Sequence, residues 1–205
     1  MYKEPMETHE GASDPDAASA GLTEVLSDSQ LWHLAATPAE AQLTDYEFAM
    51  MAATNGFERF VVQAARLTGE PELTFTEAVL IHVIRMHETP KDTATIARFL
   101  NRDDLPNIQY GVRKLVTSGL VQRRKVGTST VYSVTEAGKA WTQRYAMIRK
   151  RVLLDLLADQ PGFVETLRQA SHSMFLMAGL MDASFRRAAA FNADALFAQE
   201  SQRDK

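Results

Sequence analysis

Between residues 73 and 134, three short amphipathic segments are followed at once by two β-prone stretches, and that order restricts the chain to few folds. Thr74, with Glu77 three residues later, reads as a capping box opening a helix that carries Val79, Val83, Ile84 and Met86, and Pro90 closes it. Asp92 or Thr93 caps a second, short helix with Ile96, Ala97, Phe99 and Leu100 on it. After a polar turn at residues 101–104, a third helix begins near Leu105, tolerates Pro106 in its first turn and stops at Gly119. Residues 120–125 and 130–134 are β-prone, and Val126, Gly127, Thr128 and Ser129 between them predict a small hairpin.

Three helices and a two-stranded wing are the order of a winged helix-turn-helix. Longer helices flank it on both sides. The first carries Phe57, Phe60, Ala64 and Leu67, starts at Thr37–Pro38 or at Thr44–Asp45, and ends at Gly69 and Pro71. Beyond the hairpin, a helix runs from Thr135 through Trp141, Tyr145, Ile148, Val152 and Leu156, and Pro161 and Gly162 turn the chain into a last long helix. There Phe163, Leu167, Ala170, Met174, Met177, Met181, Phe185 and Ala188 recur at steps of three and four. That stripe is too long for a small winged domain to bury, so a partner helix from a second copy is expected, with packing inside its own chain as the alternative. The predicted fold class is mainly α with a small β-hairpin wing: a winged helix-turn-helix plus long dimerisation helices. Its organisation is a disordered or loosely docked extension at residues 1–38, with a short docking helix at 22–36, and an N-terminal helix of the dimerisation region at 39–72. A DNA-binding domain at 73–134, a C-terminal helical dimerisation region at 135–190 and a flexible tail at 191–205 follow.

Charge is distributed unevenly: net −10 over residues 1–72, +8 over 73–151 and −2 over 152–205. A basic segment inside an acidic chain is the footprint of one surface facing a polyanion. The absence of cysteine removes disulfides, thiol nucleophiles and Cys-liganded zinc. In the apolar C-terminal region the longest stretch without a charged residue, residues 169–181, falls short of the ~20 needed to span a bilayer. Lys3 is followed by Glu4, Glu7 and Glu10 with no apolar run, so no secretory signal, no membrane partner and a cytoplasmic location are expected. His82 and His87 stand five apart, His9, His33 and His172 are scattered, and no HExxH, GxGxxG, P-loop or GxSxG occurs. No enzyme activity, metal or cofactor is expected.

At 100° per residue the third helix turns Ile108, Val112 and Leu115 to one stripe and Asn107, Tyr110, Arg113, Lys114 and Thr117 to the opposite face, with Gln109 on the flank. Asn and Gln pair bidentately with adenine and Arg with guanine, while Lys and Thr suit phosphate oxygens. Arg123, Arg124 and Lys125 lie on the first wing strand, where alternation lets at most two share a surface; phosphate clamping is their expected role. Arg98 and Arg102 are further candidates for backbone contact, and Asp103 and Asp104 are expected to cap the third helix.

The run from Asn107-Ile108-Gln109-Tyr110-Gly111 through Val112-Arg113-Lys114-Leu115 to Val121, followed by Val134-Thr135-Glu136-Ala137-Gly138-Lys139, resembles the MarR family of bacterial winged-helix regulators. The resemblance covers roughly residues 40–190. It implies an obligate homodimer, double-stranded DNA with a pseudo-palindromic operator as partner, and repression relieved by a small ligand. Three departures stand out: Arg113-Lys114 replaces the family's usual Asp-Arg pair, the wing is short, and its tip lacks Asp-x-Arg. Backbone contact alone is therefore expected of this wing.

An effector cavity is expected where the dimerisation helices meet the winged domain, with Met50, Met51, Thr54, Phe57, His82, Arg85 and Tyr145 as candidate lining. Arg85 suits an anionic or aromatic effector such as a carboxylate or phenolate; a salt bridge to an acid of the first helix explains it equally well. The rival readings are a winged-helix protein-interaction adaptor and a sequence-tolerant architectural DNA-binding protein.

Overall fold

A computed structural model of the chain describes residues 33–158 and 160–192, which divide into one unit ending at Gly138 and a second beginning at Lys139. The docking helix expected at residues 22–36 lies outside the described residues as far as residue 32, and residues 33–37 form turns instead. The 191–205 tail also lies outside, except for Phe191 and Asn192.

Helix α1 (Pro38–Leu67) settles the ambiguous start in favour of Thr37. The Thr37 side chain accepts from the Glu40 N–H at 3.3 Å while Glu40 Oε2 accepts from the Thr37 N–H at 2.8 Å, and Pro38 supplies the preset φ of the first turn. Thr44, the other candidate start, is buried instead, its hydroxyl donating to the Leu34 carbonyl at 2.7 Å. A second capping box, Thr74 with Glu77, opens α2 (Phe75–Arg85).

Helix α2 ends one residue before the expected Met86, in a 3-10 turn over Met86–Glu88 where His87 and Glu88 both take positive φ. Lys91 closes that end. Its buried ammonium donates to the carbonyls of Ile84 (3.1 Å), Thr89 (2.9 Å) and Met86, satisfying acceptors that a helix terminus leaves open. Helix α3 (Thr93–Phe99) is capped by Asp92, whose carboxylate accepts the Thr95 N–H at 2.8 Å, and α4 (Leu105–Thr117) carries Pro106 in its first turn.

The hairpin pairs β1 (Val121–Val126) with β2 (Ser129–Val134), antiparallel, from Val121 opposite Val134 to Val126 opposite Ser129. Each strand is one residue longer at the tip than expected, because a two-residue turn suffices once Gly127 takes φ +59. The backbone of Lys91 adds an isolated antiparallel bridge to β2, exchanging hydrogen bonds with Tyr132 at 2.8 and 3.0 Å. One core serves this unit: Leu80, Ile81 and Ile84 of α2, Ile96 of α3, Ile108, Val112 and Leu115 of α4, and Val121 at the wing root are all buried.

The second unit continues α5 (Glu136–Arg149) through a π-helical stretch over Lys150–Leu154 into α6 (Asp155–Ala158). Trp141 and Tyr145 are buried there and stack at 5.8 Å. After Pro161 and Gly162 comes α7 (Phe163–Ala189), none of whose residues is buried. Among the described residues no helix is long and apolar enough to cross a membrane.

Candidate nucleic-acid interface

Helix α4 buries Ile108, Val112 and Leu115 and seats them in the core, which fixes what its other face presents. Gly111, on the buried side, approaches α2 so closely that a Cβ there would lie 2.5 Å from Leu80 Cδ1. Opposite this seam, Tyr110, Arg113 and Thr117 fall within about 60° of one another at helical spacing, and all three are exposed, Tyr110 at 55%. Gln109 is exposed on one flank, and Asn107 and Lys114 on the other.

Two of these side chains are engaged inside the protein. The Lys114 ammonium sits 3.0 Å from Glu77 Oε1 on α2 and 5.1 Å from the centre of the Tyr110 ring. In this structure the ammonium answers a buried carboxylate, a partner the sequence reading did not give it. Burial works to raise the Glu77 carboxyl, but hydrogen bonds from Thr74 and Lys114 outweigh it and hold the group below its ordinary value.

Asn107 donates its amide to Asp104 Oδ2 at 3.0 Å, and Arg102 grips the same carboxylate through Nε at 2.7 Å and through Nη2. Asp104 therefore occupies the N-cap position of α4 without capping it through its side chain, contrary to expectation. The carboxylate meets a guanidinium and an amide in reach and takes those donors in place of the helix N–H groups. Hydrogen bonds from Arg102 and then Asn107 bring its carboxyl down to about 2.

On the wing, strand alternation divides the basic run as expected. Arg123 and Lys125 share a face with Tyr132 and Thr130, while Arg124 lies on the other with Gln122, Val131 and Ser133. All three cations are exposed. Arg123 and Arg124 border a groove of about 380 Å³ with Pro90, Gln122, Val131 and Ser133.

Within the first unit the effector candidates fall into different surroundings. Met50, Met51 and Thr54 line an open groove of about 220 Å³ with Asn55. Phe57 meets Phe75 edge to face at 5.8 Å, and His82 is half-buried on α2. Arg85 pairs with Glu88 at 3.3 Å, an acid just beyond its own helix. Tyr145 belongs to the second unit, where burial pushes its phenol up. The stripe on α7 keeps Phe163, Met177 and Met181 half-buried and leaves Leu167, Ala170, Met174 and Phe185 exposed. Phe175, Leu176 and Leu180, off the stripe, are exposed as well, so the middle of α7 is apolar around its whole circumference. The three-and-four periodicity concealed this, because it selects one face and passes over the residues between.

The Glu77–Lys114 pair, the Asp104 cluster and the buried Lys91 were not legible in the sequence. Glu77 signalled only its capping box, and Lys91 showed only as one more cation in a basic segment.

Residues 73–138 match the family model described as a winged helix DNA-binding domain. No curated protein matches the chain. Among solved structures, a MarR family transcription regulator is similar at 17% identity, over 71% of this chain and 93% of that one, with a TM-score of 0.54. A MarR family transcriptional regulator from Rhodococcus sp. RHA1 is similar at 17% identity over 66% and 93%, with a TM-score of 0.51. The M. tuberculosis transcriptional regulator MosR, solved in complex with DNA, is similar at 15% identity over 66% and 95%, with a TM-score of 0.52. At these identities the likeness is one of fold.

Proposed function

We propose that this chain, which has the fold of MarR family transcription regulators and a winged helix DNA-binding domain at residues 73–138, is a homodimeric, sequence-specific DNA-binding repressor that reads a pseudo-palindromic operator. The observation that carries the reading is the exposed face of α4. Tyr110, Arg113 and Thr117 stand clear of a fully seated core stripe, beside a wing that exposes Arg123, Arg124 and Lys125. In this reading α4 enters the major groove, Arg113 and Gln109 address base edges, and the wing cations take phosphates.

Dimerisation rests on α7, whose apolar middle needs a covering surface that a second copy supplies by two-fold pairing. Two recognition helices would then lie about one turn of DNA apart, 34 to 36 Å. The groove at Met50, Met51 and Thr54 is where a small aromatic effector would meet adaptable thioether surface.

The test is capture of fragmented genomic DNA by the purified protein at near-physiological salt, followed by sequencing. A sharp inverted-repeat motif is the expected result. Motif-free retention would make the protein architectural, and no retention would turn the reading toward a protein-interaction adaptor.

A further inference from the structure

Lys114 looks like a phosphate-gripping lysine by its place on the exposed side of α4, yet its surroundings assign it another task. Its ammonium is 3.0 Å from the carboxylate of a side chain only 8% exposed, and that carboxylate is itself fixed: Glu77 Oε2 accepts the Thr74 N–H at 3.0 Å within the capping box. Between Tyr110 and Lys114 in the chain lies Gly111, packed so close to Leu80 that a Cβ there would displace the leucine side chain. At the α2–α4 seam Glu77 is thus held from two sides, by Thr74 on its own helix end and by Lys114 on α4. Handing the ammonium to DNA would leave a buried carboxylate unpaired, a larger loss than one solvent-exposed phosphate contact returns. From this position the same ammonium lies over the Tyr110 ring, 5.1 Å from its centre, where the negative face of the ring attracts it.

We propose that Glu77 and Lys114 are positioning residues that hold the half-exposed Tyr110 ring in one orientation on the DNA-facing side of α4, and that Tyr110 is a specificity-determining residue. Held this way, the ring offers an apolar edge suited to a thymine methyl and a phenol that can donate to or accept from a base edge. A ring free to rotate would spend part of its interaction on being ordered at each binding event. The inference rests on the DNA-binding reading above and adds to it a residue that touches no DNA: Glu77, on a different helix.

The test uses the full chain with its captured operator and a scrambled duplex of equal length, with affinities measured over a range of salt concentrations. The variants are Lys114→Met, which keeps the stem and removes the charge, Glu77→Gln, and Tyr110→Ala. We expect Lys114→Met to leave the slope of log affinity against log salt unchanged. The preference for operator over scrambled DNA should fall roughly tenfold, toward that of Tyr110→Ala. Glu77→Gln should fall in the same direction, and combining Lys114→Met with Tyr110→Ala should cost little more than Tyr110→Ala alone. Lys114→Arg, which retains the pair and the charge over the ring, should restore most of the preference.

A slope that drops by about 0.9 for each Lys114 removed, with the preference intact, would make Lys114 a phosphate clamp and overturn the inference. If Lys114→Met does not fold, Glu77→Gln decides alone, and an unaltered preference there overturns it equally. A wild-type chain that retains no duplex at all would instead overturn the DNA-binding reading, and this inference with it.

Discussion

Gly138 holds its bare α carbon against the carbonyl oxygen of Leu120, so near that a Cβ on residue 138 would stand 2.1 Å from that oxygen. The same oxygen accepts the Thr135 N–H at 3.0 Å. The Thr135 hydroxyl donates to the Gly119 carbonyl at 2.7 Å and accepts the Gly138 N–H at 3.1 Å. Residues 119 and 120 leave α4 and enter the wing, while 135 to 138 leave the wing and begin α5. The junction thus ties both ends of the hairpin together and sets the angle at which Arg123, Arg124 and Lys125 stand to α4.

Gly138→Ala tests this knot. Alanine is the better helix former by about 1 kcal/mol, but the obstacle is backbone and cannot swing aside, so overpacking decides the sign. We expect a net loss of about 2 kcal/mol in urea unfolding. DNA affinity should weaken as well, measured at a temperature where the variant is still folded. A variant as stable as the parent would show that the junction shifts without cost.

The Asp104 cluster makes a second prediction. With Asp104 replaced by Asn, Arg102 loses its carboxylate and a negative charge disappears from the N-terminal end of α4, while an amide oxygen remains that can accept from Asn107. Affinity for every duplex should rise, and the salt slope should steepen by up to about 0.9 per protomer as Arg102 becomes free to take a phosphate. Titration by fluorescence anisotropy on operator and scrambled DNA measures both. The pH dependence follows from the direction of the shift. The folded carboxyl, at about 2, lies below its unfolded value, so the cluster's contribution is present above that unfolded value and is lost as pH falls toward 2. Binding between pH 5 and 8 should therefore show no step from this group.

The proposed association through α7 makes a third. Met174 is exposed on the predicted stripe, so Met174→Glu should leave the single chain folded while placing a charge in the pairing face. Sedimentation velocity should show the dimer weakened at least tenfold, on the scale of a large apolar contact replaced by a desolvated charge. Affinity for a full inverted repeat should fall toward that for a half-site. An unchanged dimer would move the interface to the side of α7 that carries Phe175, which is 80% exposed.

What the sequence by itself determined is the set of elements that depend on near neighbours in the chain. The capping boxes at Thr37 and Thr74 join residues three apart, Gly69 and Gly119 stop helices at a single position, and the alternation through Arg123, Arg124 and Lys125 is a property of any strand. Hence three helices and a hairpin, the buried stripe of α4 and the identity of its exposed face are legible in the sequence alone. Tertiary structure decided which exposed-face residues are available and which are already occupied. Lys114 meets Glu77 across 37 positions, Gly138 meets Leu120 across 18, and the Lys91 ammonium folds back on the end of α2. Whether a cation finds a carboxylate, a carbonyl or open solvent depends on which helix packs beside it. That is set by the whole core at once, through side chains whose pairing leaves no periodic trace along the chain.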